Sequence, residues 1–94
     1  MKLRPEVRRF AEEMEKRLRE NEDKGGWENK SLHRLEKGVL KNWEDIRHTA
    51  LDRLHPHKCL QNCADIGNYA MMIADRLGDL MESSERKIGG NARK

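Results

Sequence analysis

From Pro5 onward, apolar residues return at Val7, Phe10, Met14 and Leu18, with Arg8, Arg9, Glu12, Glu13, Lys16 and Arg19 filling the positions between them. This i, i+3, i+7, i+11 course predicts an amphipathic helix with one apolar stripe. Pro5 suits its first turn, where a missing N–H costs little. The helix should end near Asn21 to Asp23. The segment Lys24-Gly25-Gly26-Trp27 follows, and two adjacent glycines would each cost about 1 kcal/mol relative to alanine inside a helix, so it reads as a turn carrying an aromatic side chain. Ser31 is a candidate N-cap for a second helix, in which Leu32, Leu35, Val39, Trp43, Ile46, Ala50 and Leu54 recur at helical spacing. Gly38 inside that helix marks a close contact or a bend. His55-Pro56-His57 stops it, because the residue before a proline is pushed out of the α region. A third helix is predicted from about His57 to Met81.

The apolar residues of this third helix, among them Leu60, Ile66, Ala70, Ile73, Leu77 and Leu80, cover more than one face. Such breadth asks for burial on more sides than three helices of one chain provide. The predicted fold is therefore all-α: a bundle of three main helices per chain, completed by dimerisation or a higher homo-oligomer. Residues 1–82 read as one helical domain. Residues 83–94 read as a polar, basic C-terminal tail. Ninety-four residues bury too little surface to be strongly stable without added burial, which favours the same conclusion.

Cys59 and Cys63 stand four apart in one predicted helix and are poor candidates for a loop-closing disulfide. No apolar run approaches the roughly 20 residues needed to cross a bilayer, and Met1 to Pro5 lacks the apolar stretch of a signal peptide, so a cytoplasmic location and no membrane partner are expected. The net charge of +3 arises from dense charges of both signs. No helix carries a continuous basic face, which ranks a nucleic-acid partner last.

The candidate chemistry lies on the third helix. Asn62, Asp65, Asn68, Met72, Asp75 and Asp79 step by three or four, so their side chains form one stripe, mostly of oxygen-bearing groups. Asn42 and Asp45 repeat the same Asn-x-x-Asp pattern on the second helix. If the two helices pack antiparallel, the pairs face each other and can converge oxygens on a hard cation such as Mg²⁺. The competing explanation is a solvated polar face.

The run Cys63-Ala64-Asp65-Ile66-Gly67-Asn68-Tyr69-Ala70-Met71-Met72-Ile73-Ala74-Asp75 resembles the second metal-binding motif of the MazG-like all-α nucleoside triphosphate pyrophosphohydrolases. There, an E-x-x-D pair opens a helix that continues D-x-x-N-x-x-M-x-x-A-D. Phe10 to Met14, Lys24 to Trp27 and Ser31-Leu32 are similar to the N-terminal part of one branch of that family. Together the resemblance covers roughly residues 3 to 80. It implies that two acidic pairs hold Mg²⁺, and that water splits a nucleoside triphosphate into monophosphate and pyrophosphate, the metals neutralising phosphates and lowering the pKa of bound water. Matched by position, the metal ligands are Asn42 and Asp45 on the second helix and Asn62 and Asp65 on the third. Lys24, Trp27, Asn68 and Asp75 fall on substrate-binding positions.

The chain departs from the family where charge matters most. Asn42 and Asn62 stand in place of glutamates, Asp45 has a shorter side chain than the family's glutamate, and Lys41 replaces a further acid. Each Glu→Asn change removes a full negative charge from a cation site. Two readings follow: a Mg²⁺-dependent pyrophosphohydrolase, or a catalytically degenerate nucleotide-binding or structural oligomeric protein. Trp27 suits base stacking or end-packing of the bundle. His55, His57, Cys59 and Cys63 offer zinc-type ligands, but their spacing matches no established zinc pattern.

Overall fold

The computed structural model describes residues 1–22, 25–49 and 55–92, without the side chains of residues 49 and 83–92. Ala50 and Leu54 of the second apolar pattern, and Lys24 of the candidate site, lie outside the described residues. The described chain is helical with no strand: α1 (Pro5–Glu20), α2 (Leu32–Thr49) and α3 (Pro56–Ala92).

The local signals act as expected. Pro5 occupies the first turn of α1, and Asn21 closes that helix, its backbone N–H bonding the Leu18 carbonyl and its Nδ2 the Arg17 carbonyl. Gly25 has φ +88°, a left-handed conformation that suits a residue without Cβ. Ser31 caps α2, its Oγ accepting from the Arg34 N–H at 3.1 Å. α3 starts at Pro56 and continues beyond Met81 to Ala92. Nothing from Glu82 to Ile88 breaks a helix, and the glycines that could do so come only at Gly89 and Gly90.

α3 is the spine. Both α1 and α2 pack on it, whereas among the described residues α1 and α2 form no packed pair with each other. Contacts that pair Lys30 with Arg76, Gly38 with Tyr69 and Asn42 with Asn62 run α2 antiparallel to α3. Arg17 with Asp65 and Met14 with Asn68 do the same for α1. A 37-residue helix is roughly 55 Å long at 1.5 Å per residue, which accounts for most of the 61 Å long dimension. The radius of gyration, 16.8 Å, exceeds the roughly 12 Å of a compact chain of this length.

The buried apolar set among the described residues is small: Leu35 and Ile46 of α2 and Ala64 of α3. Leu35 and Ile46 lie three turns apart on one face of α2. Gly38 and Asn42 share that face, and the Tyr69 ring of α3 lies over Gly38. A Cβ at Gly38 would stand 2.6 Å from the ring carbons. Gly38 is thus a close-contact glycine, and nothing but a hydrogen fits beneath Tyr69 without displacement.

Gly38→Ala should destabilise the fold by about 1–3 kcal/mol through overpacking, outweighing the roughly 1 kcal/mol that alanine contributes over glycine in a helix. Urea denaturation followed by circular dichroism measures this, and Tyr69→Ala in the same chain should remove most of the penalty, because the two sites share one contact.

Candidate functional site

The antiparallel packing brings together several stripe residues that the sequence singles out. Asn42 of α2 and Asp65 and Asn68 of α3 line a cavity of about 510 Å³, with Trp27 from the turn and Arg17 from α1. Tyr69 and Met72 form apolar wall, Gly25 and Gly26 bring backbone, and Glu15, Glu22 and Lys30 add charge. Asn62 and Asp45 meet beside it, where α2 and α3 pack.

Asp65, the central acid of the stripe, holds a guanidinium. Nε of Arg17 donates to Oδ1 and Nη2 to Oδ2, each at 2.9 Å, a side-on bidentate fork. Both side chains are only 21% exposed. Nη1 of Arg17 also donates to Oε2 of Glu20 at 2.8 Å. The Asp65 hydrogen bonds raise the Arg17 pKa further above its ordinary value, with burial opposing, so the guanidinium stays charged. Three of its five N–H groups are engaged, leaving two available.

The second Asn-x-x-Asp pair is also satisfied by nitrogen. Asn62 is 6% exposed, and its Nδ2 lies 3.4 Å from each of three oxygens of α2: the Asn42 carbonyl, Asn42 Oδ1 and Asp45 Oδ2. These are long bonds, and the three acceptors beside the nitrogen match this orientation of the amide. Asn42 Nδ2 in turn donates to the Gly38 carbonyl at 2.8 Å. The Mg²⁺ implied by the resemblance does not fit this arrangement. Both oxygens of Asp65 are taken by a cation of the chain, Asn62 turns a donor toward α2, and Lys41 is exposed on α2. Among the described residues, no three of His, Cys, Asp and Glu converge as a metal would require. His55, His57 and Cys63 are exposed, and Cys59 is half-buried.

Asn68 is 4% exposed and works in two directions. Its Nδ2 donates to the Met14 carbonyl at 2.9 Å, and its Oδ1 is buried with no donor. An orphaned acceptor costs about 1–3 kcal/mol, so Asn68 is held at a cost to stability. Trp27 is held in place by Asp75, whose Oδ2 accepts from the indole Nε1 at 2.9 Å. Arg76 supports the same turn, Nη1 donating to the Glu28 and Lys30 carbonyls. Asp75 therefore positions the ring and does not line the cavity. The indole faces remain available for stacking with a planar ligand. Asp79 is exposed and contributes no wall.

Arg17, Tyr69 and Arg76 are the site residues that sequence reasoning passes over. Arg17 carried a signal, because Phe10, Met14 and Arg17 step by four and three along the apolar stripe of the first helix. A charge on a docking face implies a partner across it. Compared with known proteins, the chain matches no family model, no curated protein and no solved structure.

Asp65→Asn should destabilise the fold by about 1–3 kcal/mol, since it leaves a part-buried guanidinium short of its charge partner. Arg17→Met should cost a similar amount, and the double variant should cost clearly less than the sum. Chemical denaturation of the four proteins gives the coupling energy, and strict additivity would contradict the fork.

Proposed function

We propose that this protein is a MazG-like homologue that binds a nucleotide or nucleoside in the cavity between α1, α2, α3 and the Gly25 to Trp27 turn without hydrolysing it. The observation that carries this reading is the closed state of Asp65. The residue that should hold the catalytic cation is forked to Arg17, while Trp27 and the two remaining N–H groups of Arg17 stand at the cavity for binding. A planar heterocycle stacks on the indole and accepts from the Arg17 N–H groups. The second reading is Mg²⁺-dependent release of pyrophosphate. It is favoured by the third-helix motif and requires Arg17 to leave Asp65.

Binding is tested with a Trp43→Phe variant, in which Trp27 is the remaining tryptophan. Nucleosides and nucleotides of each base should quench its fluorescence saturably, and no pyrophosphate should appear with Mg²⁺ or Mn²⁺. Metal-dependent pyrophosphate release that vanishes in Asp65→Ala would establish the second reading instead.

The same reading includes self-association. Cys59, Cys63, Ile66, Ala70, Ile73, Leu77 and Leu80 alternate steps of four and three along α3, a heptad seam. None of them is buried in the single chain, and Cys63, Ala70, Leu77 and Leu80 are exposed. Leu40 and Trp43 of α2 and Leu3 and Val7 at the start of the chain are exposed as well. The accessible surface is 7936 Å², against about 5,700 Å² for a compact monomer of this mass. The excess, about 2,200 Å², is more than the roughly 800 Å² per partner of a standard protein–protein interface. Sedimentation should give a dimer or larger species, and Leu77→Glu should shift it to monomer with reduced helix content. A wild-type monomer at high micromolar concentration would refute self-association.

A further inference from the structure

We infer that the chain supplies its own nitrogen donors where the resemblance implies metals, the guanidinium of Arg17 at Asp65 and the amide of Asn62 at Asn42 and Asp45, so that the site works without a divalent cation. The two substitutions match in kind. A metal site presents lone pairs from all sides toward a centre lacking electrons, and here each set of lone pairs meets N–H groups. At Asp65 the replacement is a full charge in a planar fork, which matches a carboxylate better than an ammonium would. At Asn62 it is a neutral amide among three oxygens.

Each nitrogen suits the oxygens it meets. A carboxylate at position 62 would face the Asp45 carboxylate and the Asn42 oxygens, whereas an amide donates hydrogen bonds to them. A metal approaching Asp65 would have to displace the Arg17 fork and leave a part-buried guanidinium beside a dication. Arg17 reaches Asp65 from α1, so the cation is built into the tertiary structure and is present whenever α1 is docked.

A consequence concerns the ligand, and it rests on the nucleotide-binding reading above. The charged side chains described around the cavity are Glu15, Glu22 and Asp65 against Arg17 and Lys30. With no metal to hold a triphosphate's charge, the ligand that suits the site is a nucleoside or a nucleoside monophosphate.

The test uses Mn²⁺ alone, read by the electron paramagnetic resonance signal of the free ion, with the full chain. Wild-type protein should leave that signal undiminished up to millimolar protein. Arg17→Met and Asn62→Asp should each raise Mn²⁺ affinity at least tenfold, and Asp65→Asn placed in the Arg17→Met chain should cancel its gain. Should Arg17→Met fail to fold by circular dichroism, Asn62→Asp, a near-isosteric change, decides alone. Tight Mn²⁺ binding by wild type that Asp65→Asn removes would overturn the inference, as would folded variants with no gain. Failure of every nucleoside and nucleotide to bind would refute the proposed function while leaving this metal result intact.

Discussion

Because no residue of α1 is buried, its place on α3 depends on polar bonds that oil-like packing cannot replace. The fork from Arg17 to Asp65 and the bond from Asn68 to the Met14 carbonyl join the C-terminal half of α1 to the spine. Phe10 and Met14 add apolar contact over Gly67. Directional bonds set register where apolar contact alone would allow sliding. They also close one wall of the cavity, since Arg17 belongs to both the helix contact and the lining. Stability of α1 and chemistry of the site are therefore the same interaction.

The α2 side obeys a different constraint. There the helices approach closely enough that Tyr69 lies on the backbone at Gly38, and Leu35 and Ile46 are buried. That contact fixes the antiparallel register that brings Asn42 and Asp45 opposite Asn62. The turn is then fastened at the far end by Trp27 to Asp75 and by Arg76 to two carbonyls. A long spine with helices on part of its surface leaves the remaining heptad face of α3 open, which explains how a chain with three buried apolar residues among those described can still carry so regular an apolar seam.

Much of the site was legible in the stripe. Asn62, Asp65 and Asn68 share a face because of helical periodicity alone, and their meeting with Asn42 and Asp45 follows from antiparallel packing. Arg17 was half-legible: its position on the docking face of the first helix announces a partner without saying which. The direction of Asn62, nitrogen rather than oxygen toward α2, was not legible, since an amide carries both ends at one position and only its surroundings choose. Asp75 likewise offers the same carboxylate to a ligand or to a neighbour, and the indole of Trp27 decided for the neighbour.

By itself the sequence determined the three helices, the start of each, the Ser31 cap and the glycine turn, because those features obey rules that act within a few residues of one another. α3 runs past the predicted end at Met81 to Ala92, since a polar composition does not by itself break a helix. Only the tertiary structure decided what the polar residues hold. Arg17 and Asp65 are 48 residues apart, and Asn42 and Asn62 are 20 apart. A pattern on one helix states which atoms face the same way, but the charge and donor that meet them come from another helix, and that pairing determines whether a row of oxygens is a metal site or the seat of an arginine.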